Sequence, residues 1–136
     1  MQKLLYPLFL ATAIIVFLAL SFKNPYGTSS LIGNFDPFPD SLHYVVPARN
    51  FVAGEGFTFA REGGKTIIGV PPLYSLTLIP IYFLNNDARS YYFANLILGI
   101  ASIILLLKIG QKLTKSAWMT GLLLFTYVTS FVIYWQ

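Results

Sequence analysis

Apolar residues fill positions 4–22 almost without interruption, two further runs cover 91–107 and 117–135, and most polar positions collect between the first run and the second. At ~1.5 Å per residue the first run makes a helix about 28 Å long, close to the roughly 30 Å hydrocarbon core of a bilayer. Each run is therefore expected to be a transmembrane helix. A secretory signal is the rival reading for the first, because Lys3 precedes it and Ala19, Leu20 and Ser21 resemble a small-residue cleavage site. The apolar stretch is longer than the ~7–15 residues of such a signal, which favours the span.

A fourth apolar stretch, 70–84, is about 22 Å long as a helix and is interrupted by Pro80. It is too short to cross, so it is expected to be a juxtamembrane or re-entrant helix in the outer leaflet. Lys108, Lys112 and Lys115 separate the second and third runs, and Lys3 precedes the first. Cytoplasmic loops are enriched in Lys and Arg, which places both lysine sites inside and residues 23–90 outside. The expected fold class is all-α integral membrane: span 4–22, extracytoplasmic loop 23–90 with short helices near 40–53 and 70–84, span 91–107, cytoplasmic loop 108–116 and span 117–135. A four-span alternative counts 70–84 as a span and 85–90 as a tight cytoplasmic turn. Tyr91, Tyr92, Tyr134 and Trp135 fall at span ends, where aromatic rings anchor helices to the interface.

Composition agrees with a lipid setting, since 56% of residues are hydrophobic and only 10% are charged. The net charge of +4 comes from nine scattered Lys and Arg, with no basic tract interleaved with aromatics. That excludes a nucleic-acid groove and leaves membrane lipid phosphate as the fitting anionic partner. Cysteine is absent, so disulfides and thiolate metal sites are excluded. With 136 residues the chain supplies too few spans to wall off a large transport pathway, so it is expected either to oligomerise or to belong to something longer. The last apolar run reaches Gln136 without a polar flank, which reads as a truncation.

Most of the chemical vocabulary lies in the 23–90 loop. Pro39, Asp40 and Ser41, followed by Leu42, Val45, Val46, Phe51 and Val52, read as a capped helix stopped by Gly54 and kinked or divided at Pro47. Asp40 at the helix start has a structural role as an N-cap. It also has a chemical one, as a carboxylate that can accept a proton or hold a divalent cation. Asp36, beside Pro37, reads as a turn residue. His43 lies three residues after Asp40, within hydrogen-bonding reach on a helix, yet a lone histidine there is more often an interfacial residue than a ligand. Arg49, Arg61 and Lys65 are candidate phosphate ligands, and cations beside a bilayer also bind lipid headgroups. Glu55, between two glycines, reads as a turn. Gly63 and Gly64 read as a hairpin turn joining 57–59 to 66–68, and Pro71 and Pro72 as a helix start.

The order of these features carries a resemblance. Pro39, Asp40, Ser41, Tyr44, Ala48, Arg49, Asn50, Gly54, Gly56 and Phe57 follow the first span directly, and Pro71, Pro72, Leu73 and Tyr74 then open a short apolar helix. This pattern resembles the N-terminal region of GT-C-type membrane glycosyltransferases, the superfamily of protein O-mannosyltransferases and aminoarabinose transferases, and covers most of 4–115. The resemblance implies transfer of a sugar from a polyprenyl- or dolichyl-phosphate donor to a hydroxyl acceptor on the extracytoplasmic side, in the plasma membrane of a prokaryote. It implies that Asp40 is the base, or in some branches a metal ligand, that Lys65 or Arg61 stabilises the leaving phosphate, and that His43 and Tyr44 support the site. The resemblance fixes no cofactor: the polyprenyl-phosphate sugar is the donor substrate, and some branches use a divalent metal. Two departures stand out: Val70 precedes the Pro pair where relatives often keep a lysine, and Pro47 replaces a good helix former. Relatives carry more spans, so residues 1–136 are expected to be the N-terminal portion of such an enzyme and inactive alone.

The alternative is a small non-enzymatic membrane subunit or assembly partner in which Asp40 is only a cap. A transporter fragment is disfavoured because the expected spans carry no Asp, Glu or His and no Lys or Arg.

Overall fold

The computed structural model describes residues 2–22, 39–61, 64–67, 71–87 and 90–130. The chain is mostly helical. In order come α1 (Gln2–Phe22), α2 (Pro39–Val52), β1 (Thr58–Arg61), β2 (Gly64–Ile67), α3 (Leu73–Leu84), α4 (Tyr91–Thr114) and α5 (Ala117–Val128). The described residues fall into two compact units, one within Met1–Asn34 and Leu96–Gln136, the other within Phe35–Asn95.

In the first unit α1 packs chiefly against α5. The buried cluster is Ala13 and Phe17 of α1, Ile103 and Leu107 of α4, and Leu124 and Val128 of α5. Helices approach closely where a side chain on one meets glycine on another: Phe17 lies over Gly99, and Phe9 over Gly121. Leu4–Phe22 and Tyr91–Thr114 are long and apolar enough to cross a membrane, and only 17% and 22% of their most apolar windows is buried. Such exposure is the reverse of a core helix in a water-soluble protein, which hides its apolar face.

Helix α4 does not stop with its apolar run. It continues past 107 through Lys108 and Lys112 to Thr114, so the expected 108–116 loop contracts to Lys115 and Ser116. Lys and Gln are good helix formers, and a lysine in the last turn favours the negative end of the helix dipole. The connection to α5 is tight: Lys115 adopts φ 53°, and the Ser116 hydroxyl caps α5 by accepting from Met119 N at 3.5 Å. Thr114 Oγ1 and Thr120 Oγ1 meet at 3.1 Å across the turn. The described part of the expected 117–135 span is α5 and the two residues after it; Tyr134 and Trp135 lie outside the described residues.

In the second unit the expected hairpin is present. Strand β1 pairs antiparallel with β2, with Thr58 opposite Ile67 and Arg61 opposite Gly64. Helix α3 has 12 residues, about 18 Å, well short of a hydrocarbon core. Its polarity is inverted relative to a helix on a water-soluble domain. Ser75, Leu78 and Tyr82 are buried, whereas Leu73, Leu76, Phe83 and Leu84 are exposed. Tyr91 and Tyr92 depart from the expected interfacial anchors: both are buried, with rings stacked at 4.3 Å. A hydrogen bond between the Tyr82 hydroxyl and the backbone of Tyr91 ties the start of α4 to α3.

Candidate functional site

Helix α2 is the backbone of the candidate site. It runs unbroken through Pro47, which is buried, rather than dividing there. Its first residue is Pro39, a favoured residue in a first turn, so Asp40 stands second in the helix rather than in the cap position. The far end closes as expected at Gly54, whose φ of 79° is the left-handed conformation that glycine adopts without strain. Glu55 N donates to Asn50 O at 2.8 Å and Gly54 N to Phe51 O at 3.1 Å, the paired bonds of a Schellman motif.

The hairpin docks on this helix. His43 stacks on Phe59 with ring centroids 4.8 Å apart. Phe51 meets Phe57 edge-on at 6.5 Å, and Asn50 Nδ2 donates to Thr58 O at 2.9 Å. His43 is thus a packing residue of the α2 and hairpin contact. Tyr44 faces the other neighbour, meeting Tyr74 of α3 edge-on at 5.3 Å.

Arg61 and Lys65 fall in the two strands of the hairpin, Arg61 opposite Gly64 and Lys65 opposite Ala60. Arg49 comes nine residues after Asp40 on one helix. That spacing is about 13 Å along the helix axis. The side chains of Asp40, Arg61 and Lys65 lie outside what the structure describes, so of the candidate phosphate ligands Arg49 is the one with a described side chain. Among the described residues no three metal-ligating side chains cluster.

A polar network that the sequence reading missed lies between α2, α3 and the start of α4. Arg49 Nε donates to Asn86 Oδ1 at 2.9 Å, and the Tyr74 hydroxyl donates to Asn95 Oδ1. Burial pushes the Tyr74 phenol above its ordinary value, against the opposing pull of the Asn95 bond. Tyr82 is pushed up further by burial, although Arg49 nearby works in the other direction. Both phenols are neutral at physiological pH. Ser75 Oγ and Ser90 Oγ are buried without a hydrogen-bond partner. The signal in the sequence was the spacing of Ser75 and Tyr82, seven residues apart on one helix face while hydrocarbon occupies the others.

Comparison of the chain with known protein families, curated proteins and solved structures finds no match.

Proposed function

We propose that the chain is membrane-embedded and contributes the donor-side loop of a glycosyltransferase that moves a sugar from a polyprenyl- or dolichyl-phosphate carrier to a hydroxyl acceptor outside the cytoplasm. The observation that carries this reading is the run of elements after the first long apolar helix. An aspartate stands in the first turn of α2, a hairpin with a basic residue in each strand docks on that helix, and a short helix with hydrocarbon outward follows. The inverted polarity of α3 supports embedding, because a face of Leu73, Leu76, Phe83 and Leu84 suits acyl chains and not water.

In this reading Asp40 acts as the base. The acceptor hydroxyl becomes acidic only as its oxygen bonds the anomeric carbon of the sugar, so a carboxylate in reach takes the proton late in the step. The C–O bond to the carrier breaks with its electron pair leaving on the phosphate, whose charge a guanidinium or ammonium offsets. Lys65 or Arg61 takes that role. A divalent ion at Asp40, where the branch uses one, would supply the same charge stabilisation. The test is transfer of labelled sugar from polyprenyl-phosphate donors in membranes expressing the encoding gene, comparing wild type with Asp40→Asn. The proposal expects transfer to fall by about 100-fold or more on loss of the base. Full activity in the variant would return Asp40 to a purely structural role.

A further inference from the structure

The side-chain charge of the first unit is all of one sign. Asp36, Asp40, Glu55, Glu62 and Asp87 are all the acidic residues of the chain and fall within 35–95, whereas 1–34 and 96–136 carry Lys3, Lys23, Lys108, Lys112 and Lys115. Lys108 and Lys112 stand one turn apart on α4, Lys115 lies in the turn into α5, and all three are exposed.

Beside that lysine turn an apolar groove runs between α1 and α5. Phe9, Ala13 and Val16 form one wall and Trp118, Leu122 and Phe125 the other, bounding about 310 Å³. The α5 wall extends from Trp118 to Val128, about 15 Å of helix. Trp118, three residues after Lys115, marks the lysine end, where its ring meets Phe9 at 5.5 Å. The volume spread over that length leaves a cross-section of about 20 Å², a width of roughly 4.5 Å. One hydrocarbon chain fits such a slot, since carbon atoms rest about 3.5–4.0 Å apart, whereas an α-helix about 10–12 Å across does not.

We infer that this groove holds one acyl chain of an anionic phospholipid, with the headgroup phosphate at Lys112 and Lys115. An apolar slot ending at ammonium groups whose own unit offers no Asp or Glu matches an amphiphile with a hydrocarbon tail and an anionic head. The lysine turn is expected on the cytoplasmic face, so the lipid belongs to the inner leaflet, where anionic headgroups concentrate. The inference rests on the membrane embedding proposed above and does not depend on sugar transfer.

The test places the purified 136-residue chain in phosphatidylcholine vesicles and reads Trp118 fluorescence, with Trp135→Phe as the parent so that one tryptophan remains. One arm replaces part of the lipid with phosphatidylglycerol carrying brominated acyl chains, which quench indole on contact, and the other with brominated phosphatidylcholine. Retention in the vesicles after an alkaline wash reads the embedding separately. Quenching is expected to saturate at a share of anionic lipid about fivefold lower or less, because lysines near the headgroups favour it. Lys112→Gln combined with Lys115→Gln should bring the two arms together. Thr12→Phe, which adds a ring to the groove from an exposed position, should remove the saturable quenching in both. The inference is overturned if the parent shows no preference for the anionic lipid, if the double lysine variant keeps that preference, or if Thr12→Phe with the parent's helicity leaves quenching unchanged. Protection of Trp118 from both lipids, with crosslinked dimers, would also overturn it and assign the groove to a second copy.

Discussion

Gly99→Ala probes a close helix approach in the first unit. A Cβ at this position would stand 2.3 Å from Phe17 Cζ and 2.9 and 3.0 Å from Cε1 and Cε2. Carbon atoms rest at about 3.5–4.0 Å, so the ring tip would have to retreat by roughly 1.2 Å. Phe17 is only 4% exposed and packs among Ala13, Ile103, Leu107, Leu124 and Val128, which leaves the ring little room. Overpacking of this kind costs about 1–3 kcal/mol, and alanine regains about 1 kcal/mol of helix propensity over glycine. The net expectation is destabilisation of up to about 2 kcal/mol. Between apolar helices in lipid, close packing replaces the hydrophobic driving force, so the effect persists in a bilayer-like medium. The assay is surfactant unfolding in bicelles followed by far-ultraviolet circular dichroism, on Gly99→Ala, Phe17→Leu and the double variant. Shortening the ring should relieve the clash, giving a favourable coupling of about 1 kcal/mol between the two sites. Stabilisation by Gly99→Ala alone, or simple additivity in the double variant, would refute the contact.

Two further outcomes follow from local geometry and titration. Lys115 holds φ 53° in the α4–α5 turn, so Lys115→Gly should stabilise the chain by about 1 kcal/mol in the same unfolding assay, through relief of left-handed strain. Tyr74 has its pKa raised by burial above 10.0, which favours the neutral phenol in the folded state. Its contribution to stability is whole below the unfolded value and is lost as pH rises through the folded one. Ultraviolet titration should show Tyr74 ionising after the exposed tyrosines and together with unfolding, whereas Tyr74→Phe lowers the amplitude of that late step by one phenol and leaves the contribution of Tyr82.

The elements set by strong local signals were legible in the sequence. The apolar run of α1, the Gly54 stop and the hairpin each depend on a pattern contained within a few residues. The extent of α4 was not, because the apolar run ends at 107 while backbone hydrogen bonding continues through Lys108 and Lys112, which suit a helix as well as a loop. Tyr91 and Tyr92 were misplaced because an aromatic pair at a span end reads the same whether it faces lipid or, as here, packs inward. The candidate site was legible as a list of residues and not as an arrangement. The path of α2 depends on its running unbroken through Pro47, and the pairing in the hairpin depends on a register that slips by one residue without any change in composition. The Arg49 and Asn86 bond joins positions 37 residues apart, a separation at which local pattern carries no information.

The most direct test of the account is sugar transfer in sealed, right-side-out membrane vesicles expressing the encoding gene, loaded with labelled polyprenyl-phosphate sugar, with wild type and Asp40→Asn compared at equal expression and equal donor binding. The account predicts transfer to a hydroxyl acceptor added outside, without permeabilisation, and its collapse in Asp40→Asn. Transfer that requires opening the vesicles would contradict the placement of the loop, and transfer undiminished in Asp40→Asn would contradict the role of its carboxylate.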